Sequence, residues 1–428
     1  MKMDLKLHHI RLVDPSCGRD EVTHLYVKDG KVAAITLEEL PATQVLDGTG
    51  LTAFPGLVDV HCHLRDPGLT YKEDVITGTQ AAAAGGITTI FAMPNTKPVT
   101  DNEETIRYIQ QKATNWGSAH VHVVPAMTVG TLGKEPADYQ MYVRNGILAI
   151  SDDGKEVADP LVMRHVLEGA RQYNLVPVCH CDDVTLVQGG LMNEGEVSRR
   201  LGVPGNPAAS ETVAVARDIL LAEYVGWKVH LQHLSCGTSI ALVREAKKRG
   251  VQVTCETGPH YFTFTDEAVE SIGPNARMNP PLRTARDREL ILEGIADGTV
   301  DCIATDHAPH SVEEKTGPLD KTMNGIVGFE TSFAASYTQL VLGGVVSFSR
   351  LIELMSTSPA KLMGLSCGTL QVGSPADIAV ADLTKTWKVD ASQFRSKGRN
   401  TPFEGMELTG RIRYTLLDGQ LVYQDPTL

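Results

Sequence analysis

No stretch of this chain stays apolar for the ~18 to 20 residues that a membrane-spanning helix needs, so no such helix is expected. A block of basic residues is also missing. With a formal net charge of −13 and a pI near 5.5, a nucleic-acid partner is not expected, because its phosphates would be repelled. The opening residues Met1-Lys2-Met3-Asp4-Leu5-Lys6 lack the apolar core of a secretory signal, and the expected location is the cytoplasm. Cysteine is sparse: eight residues, at 17, 62, 179, 181, 236, 255, 302 and 367, are scattered too widely to read as a disulfide framework. Five of them (62, 179, 236, 255, 302) lie in or beside apolar runs, where a thiol acts as a small hydrophobe, and all are expected reduced. Low-complexity tracts do not occur. What remains is an ordinary globular composition, 42% hydrophobic over 428 residues, long enough for one large domain with a smaller companion. A small-molecule substrate is the expectation.

Through the middle of the chain, short β-branched apolar runs alternate with longer segments of helical period, the pattern of βα units on a parallel sheet. Eight such runs occur: LTAFPGLVDVHCH, GITTIFAMPNT, HVHVVPAMTVG, GILAISDDG, LVPVCHCDD, KVHLQHLSC, VQVTCETGPH and DCIATDHAPH. Between them, Thr100 and Glu103 fit a capping box opening DNEETIRYIQQKA, and SIALVREAKKRG carries basic residues in its last turn and a terminal glycine. Eight units predict an α/β fold, a closed (β/α)8 TIM barrel. The flanks read instead as short strands joined by turns such as Lys28-Asp29-Gly30-Lys31 and Leu417-Asp418-Gly419-Gln420. The predicted organisation is a barrel over 54–365, with 1–53 and 366–428 pairing into one small β-sandwich domain, since neither end alone buries much surface.

Most of the eight runs end in a residue able to bind a metal or a substrate: His61 and His63, Asn95, Asp153, His180, His233, His260, and Asp306 followed by His310. In such a barrel the C-terminal strand ends converge on one mouth, where active sites are built. His61 and His63 share a strand face and suit a pair of metal ligands. His120 and His122 have the same spacing but open their run, which places them at the opposite rim and argues against a ligand role. His180 and His233 each close a strand, and imidazole is the commonest nitrogen ligand for zinc. His230 faces the other way and reads as a packed histidine. A carboxylate such as Asp306 at the end of an apolar strand is costly to bury without a cation. Of the neighbours Asp152 and Asp153, only one can enter the mouth. Arg65 cannot bind a cation, but its fork matches a carboxylate and points to an anionic substrate held against the metal. Asn95 and Asn279 can add amide hydrogen bonds to that molecule or form turns beside Pro94 and Pro280.

HxHxRDPG, MPNT, SDDG, CHCDD, QHLS, TGPH, RMNPPLR, ATDHAPH, GIVGFET and NTPFEG, in this order over nearly the whole chain, resemble the dihydroorotases of the amidohydrolase superfamily in their longer bacterial type. The resemblance implies Zn2+, one or two ions per subunit, held by His61, His63 and Asp306 on one side and His180 and His233 on the other. Asp153 would lie between, where many relatives carry a carboxylated lysine; Lys155 is outside that motif. Substrate contacts are implied for His63, Arg65, Asn95, Asn279 and His310 and for the backbone around Asn324 and Gly325, under a mobile loop running from His310 to Asn324. The implied reaction is the reversible interconversion of N-carbamoyl-L-aspartate and L-dihydroorotate in pyrimidine biosynthesis, with a zinc-bound hydroxide as nucleophile and Asp306 as general acid and base. A homodimer and an association with aspartate carbamoyltransferase are implied too. Two other readings stay open. A dihydropyrimidinase or allantoinase would share the barrel, though Arg65, Asp153 and NPPLR speak against it; a non-catalytic dihydroorotase-like scaffold would not need all six ligand positions filled.

Overall fold

The computed structural model describes residues 2–427. Each of the eight apolar runs forms a barrel strand: Leu57–Cys62, Ile87–Ala92, His120–Val123, Ala149–Ile150, Val176–Cys179, Val229–Leu231, Val253–Thr257 and Cys302–Ile303. The first three pair in parallel, as do the last five. Two seams complete the ring. Between the third and fourth strands Ser151 N–H donates to Pro125 O at 3.0 Å, and between the eighth and first His63 N–H donates to His307 O at 2.9 Å beside a Cys62–His307 bridge. Asp59 reinforces the second seam by accepting the Thr305 N–H at 3.0 Å. Burial nevertheless pushes this carboxyl up to about 7.

Apolar side chains from strands that are not neighbours in the ring, including Val58, Phe91, Ala149, Val178 and Cys302, meet in one cluster, which only the barrel interior permits. Ala360 and Met363 join that cluster from the later helical segment. A larger apolar layer packs the outside of the strands against the helices, with Ile90, Ile106, Leu167, Ile219, Ile240 and Ile295 among its members. The helix Gly237–Lys248 follows its sequence signature, with Lys247 and Lys248 in the last turn and Gly250 at φ +84° ending the rotation. The helix Glu103–Trp116 corrects the predicted capping box. Its N-cap is Asn102, whose side chain accepts the Thr105 N–H at 3.0 Å, while Thr100 Oγ1 lies 2.8 Å from Thr96 Oγ1. Asparagine caps at least as well as threonine, and the later start leaves Thr100 free to close the loop after the second strand.

The two ends of the chain build one eight-stranded sheet. Its joint is the short strand Thr52–Pro55, paired antiparallel with Ile378–Lys388 on one side and parallel with Met3–Asp14 on the other. Met3–Asp14 is shared: its first half pairs with Ala42–Asp47 and its second with Thr52–Pro55, so the sheet branches there. Leu5, Leu7, Leu25 and Val27 from one limb meet Ile378, Val380 and Leu416 from the other in a single apolar cluster. No helix among the described residues is long and apolar enough to cross a membrane. All eight cysteines are free, and Cys62, Cys179, Cys181, Cys236, Cys255 and Cys302 are buried.

Candidate active site

The barrel brings the strand-end residues to one place. His61 points Nε2 at two carboxylates, 3.2 Å from Asp153 Oδ1 and 3.4 Å from Asp306 Oδ1. His63 Nε2 lies 2.9 Å from Asp306 Oδ1 and 3.6 Å from Asp153 Oδ2. On the other side of Asp153, His180 Nδ1 and His233 Nε2 face each other at 2.8 Å, and lie 3.7 and 3.8 Å from Asp153 Oδ1. Asp153 is therefore the shared member, within reach of every imidazole. Asp152 takes the opposite face, its carboxylate bonded by the N–H and hydroxyl of Thr128, and Lys155 turns away to Thr131.

All six side chains are buried. Burial pushes the carboxyls of Asp153 and Asp306 up, but the surrounding histidines outweigh it and hold both well below the usual carboxylate range. For His61 the balance is reversed: burial pushes the ring down, and Asp153 and Asp306 draw it well above its ordinary value. His61 Nε2 is a buried ring nitrogen without a hydrogen-bond partner, aimed into this group. Two imidazole nitrogens at 2.8 Å can share at most one proton, whereas both can lend lone pairs to one cation. The donor set therefore fits a metal ion. Two overlapping trios can hold one, His61 with His63 and Asp306, and His61 with Asp153 and His233.

Arg65, His233 and Asp306 have φ of +59°, +34° and +47°. Such values are uncommon outside glycine and mark sharp turns at the strand ends, held by the packing around them.

A cavity of about 210 Å³ opens over the cluster, and all seven residues expected to touch substrate line it: His63, Arg65, Asn95, Asn279, His310, Asn324 and Gly325. Arg65 Nε donates to Pro309 O at 3.3 Å and Nη2 lies 3.5 Å from His310 Nε2, leaving Nη1 without a partner among the described residues. Asn95 and Asn279 do more than shape turns. Asn95 Oδ1 accepts His63 Nδ1–H at 2.8 Å, which leaves His63 Nε2 to the carboxylates, and its Nδ2 donates to Asp153 at 3.1 Å. Asn279 Nδ2 donates to Asp182 at 3.1 Å beside His180. Burial and the neighbouring cations Arg65, Lys72 and Lys315 push His310 down to about 3. The neutral ring accepts from Lys72 Nζ at Nδ1 (3.3 Å) and donates Nε2–H to Asn324 O (2.6 Å). Only glycine suits position 325: φ is +125°, and an added Cβ would lie 2.8 Å from Ala308 Cβ and 3.1 Å from His310 Nε2.

One participant escaped the sequence reading. Glu256, wholly buried in the seventh strand, accepts His61 Nδ1–H at 2.8 Å and lies 3.0 Å from His230 Nε2. Burial pushes its carboxyl up, but these two histidines hold it at about 2. With Nδ1–H committed to Glu256, Nε2 is the atom His61 has left for the cluster. The available signal was an acid inside the apolar run VQVTCETGPH, with no turn to excuse it. His230 is packed as expected, against Thr254 and Glu256. His260 closes the same run, yet it is outside the cavity lining; burial pushes it down to about 4, and its ring packs on Tyr261. His120 faces Asp377 and Asp418 of the terminal sheet, and His122 stacks on Phe91.

The model of the family described as dihydro-orotase-like matches residues 50–239. A dihydroorotase of Acetivibrio thermocellus is 44% identical over 418 residues, 97% of this chain and 98% of its own length. The chain belongs to the dihydroorotase family. A second dihydroorotase, of Geobacter metallireducens, is 45% identical over 424 residues, covering 99% of this chain and all of its own. Among solved structures, the L-hydantoinase (dihydropyrimidinase) from Arthrobacter aurescens superposes with a TM-score of 0.89 at 30% identity, over 99% of this chain and 96% of that one. Of the clustered residues, Asp306 lies beyond the matched family segment, in the part covered by these full-length dihydroorotase relatives.

Proposed function

We propose that this chain is a zinc-dependent dihydroorotase, opening L-dihydroorotate to N-carbamoyl-L-aspartate and closing the ring in the reverse direction, as pyrimidine biosynthesis requires. The observation that carries the reading is the placement of Arg65 in the same cavity as the histidine and aspartate cluster. A substrate combining a carboxylate with a cyclic amide can be gripped by the guanidinium while its amide lies over the cluster. Dihydropyrimidine and allantoin offer no such carboxylate. Family membership supports the same choice.

In this reading His61, His63 and Asp306 would hold one zinc ion, and His180 and His233 would hold a second where it binds, with Asp153 within reach of both groups. Bound zinc would polarise the ring carbonyl and make water a nucleophile near neutral pH. Asp306, kept ionised by its histidine neighbours, accepts the proton of the attacking water and returns it to the ring nitrogen as the C–N bond breaks. In ring closure the substrate's side-chain carboxylate takes up one proton from solvent, and Asp306 passes the proton of the attacking carbamoyl nitrogen to the hydroxyl so formed, which leaves as water. Asn95, Asn279 and the backbone at Asn324 and Gly325 orient the ring, and the loop from His310 to Asn324 closes over the mouth to exclude solvent. The proposal also places the protein in the cytoplasm, as a homodimer able to associate with aspartate carbamoyltransferase. Its catalytic domain is 54–365, with 1–53 and 366–428 as the companion.

A three-substrate assay tests the assignment. Dihydroorotate is expected to exceed dihydrouracil and allantoin in kcat/KM by at least about a hundredfold, because a site built for a charged group rejects analogues that lack it. Preference for either rival rejects the assignment. A second test concerns Glu256. Glu256→Gln should weaken zinc binding roughly ten- to a hundredfold, the usual cost of losing a partner that orients a ligating histidine. Competition with a chelator reads this directly, and unchanged affinity would remove Glu256 from that role.

A further inference from the structure

A second cavity, of about 530 Å³, lies between the helix Phe329–Ser336 and the strands Ile378–Lys388 and Glu407–Leu417. It shares no lining residue with the catalytic mouth. The volume falls within the range of small-molecule sites, roughly 300 to 1,000 Å³. In a chain whose formal net charge is −13, this wall carries Lys388, Arg395 and Arg411 against Asp390 and Glu330. Arg411 is paired with Asp425 and lies 4.6 Å over the Trp387 ring, while Lys388 and Arg395 have no acidic partner among the described residues. Burial pushes Glu330 up to about 7, which trims the negative charge further. Trp387 and Phe394 supply flat apolar surface beside these cations.

The wall is also wired to the catalytic strand ends. Glu330 Oε1 accepts the backbone N–H of Arg395 at 2.7 Å and of Ser396 at 3.1 Å. Ser396 Oγ donates to Glu73, and Glu73 Oε2 lies 3.4 Å from His307 Nε2. His307 follows Asp306 directly, and its carbonyl accepts the His63 N–H at 2.9 Å.

We propose that this cavity is a second ligand site, for a small anion carrying a flat ring such as a nucleoside monophosphate, and that its occupancy acts on the Asp306 strand end through Glu330, Ser396 and Glu73. The binding half stands without the reaction proposed above; the kinetic half rests on it.

Full-length protein titrated with AMP, UMP and inorganic phosphate, followed by tryptophan fluorescence, tests the binding half. Both nucleotides should quench to saturation below millimolar concentration, and Trp387→Phe should remove the signal. The double variant Lys388→Ala, Arg395→Ala should weaken binding, measured by calorimetry, at least about tenfold, since each lost hydrogen bond to a charged group is worth that much. Binding undiminished in the double variant, absence of saturation, or phosphate matching the nucleotides would each overturn the site. For the coupling, a saturating nucleotide should shift KM or kcat for dihydroorotate in the natural protein but not in the double variant, and Ser396→Ala should bind nucleotide without that shift. Binding with no kinetic response overturns the coupling alone; an inactive protein that still binds nucleotide refutes the proposed reaction and leaves the site standing.

Discussion

Asp306→Ala is expected to abolish measurable turnover of dihydroorotate while leaving the barrel folded. Two losses coincide at this position. A positioned proton shuttle contributes roughly a hundred- to ten-thousandfold on its own. The same carboxylate is 2.9 Å from His63 Nε2 and 3.4 Å from His61 Nε2, so its removal also strips one zinc trio of its only acid. The fold should tolerate the change because Asp306 lies at the mouth, beyond the strand Cys302–Ile303, outside the apolar layers that hold the barrel together. Asp306→Asn separates the two losses: it keeps an oxygen for the metal but cannot carry the proton, so zinc content should largely survive while turnover does not. The parent residue sets the pH frame for such comparisons. Its folded-state value is held below 3.8, so the stability it contributes is present above that pH and is lost only as the pH falls further, outside any neutral assay. Near-normal kcat in Asp306→Ala, with a normal melting curve and zinc content, would refute its role.

The positions of His61, His63, His180, His233 and Asp306 could be read from sequence because each ends a β-branched run. Closing eight runs into a ring then forces those ends together, whatever their separation along the chain. The choice between Asp152 and Asp153 could not be read. Alternation says that one faces in, but which one depends on Thr128, a loop residue that claims Asp152 from the side. Glu256 was hidden for a related reason. Its meaning lies in the register between the sixth and seventh strands, where His230 sits opposite Thr254, bringing the carboxylate two residues further on between His230 and His61. The terminal strands announced themselves by turns, but not their order. Met3–Asp14 divides its pairing between two later strands, and nothing local in its sequence encodes that. The helix cap moved from Thr100 to Asn102 because two acceptable caps stood two residues apart, and Thr100 is engaged by Thr96 within the preceding loop.

Replacing Arg65 by methionine should reduce kcat/KM for dihydroorotate by about three orders of magnitude and leave the slow reaction with dihydrouracil nearly unchanged. Hydrogen bonds to charged groups are worth about 1.5 to 3 kcal/mol each, and a guanidinium fork makes two to a carboxylate, so a loss of about 3 to 6 kcal/mol is in range. Methionine keeps the length and apolar body of the side chain. It adds no new backbone strain either, since φ is +59° with arginine already in place and neither residue has glycine's freedom. If the grip is equal in the bound substrate and the transition state, the loss falls on KM; a fall in kcat as well means that Arg65 also sets the angle of the ring over the cluster. Lysine at the same position should restore only part of the rate, because it returns the charge without the fork. The comparison with dihydrouracil is the decisive arm. Arg65 also touches Pro309 O and His310, so a purely structural role predicts equal loss for both substrates. Equal loss would therefore take the carboxylate out of its hands and, with it, the main ground for choosing dihydroorotate over a neutral ring.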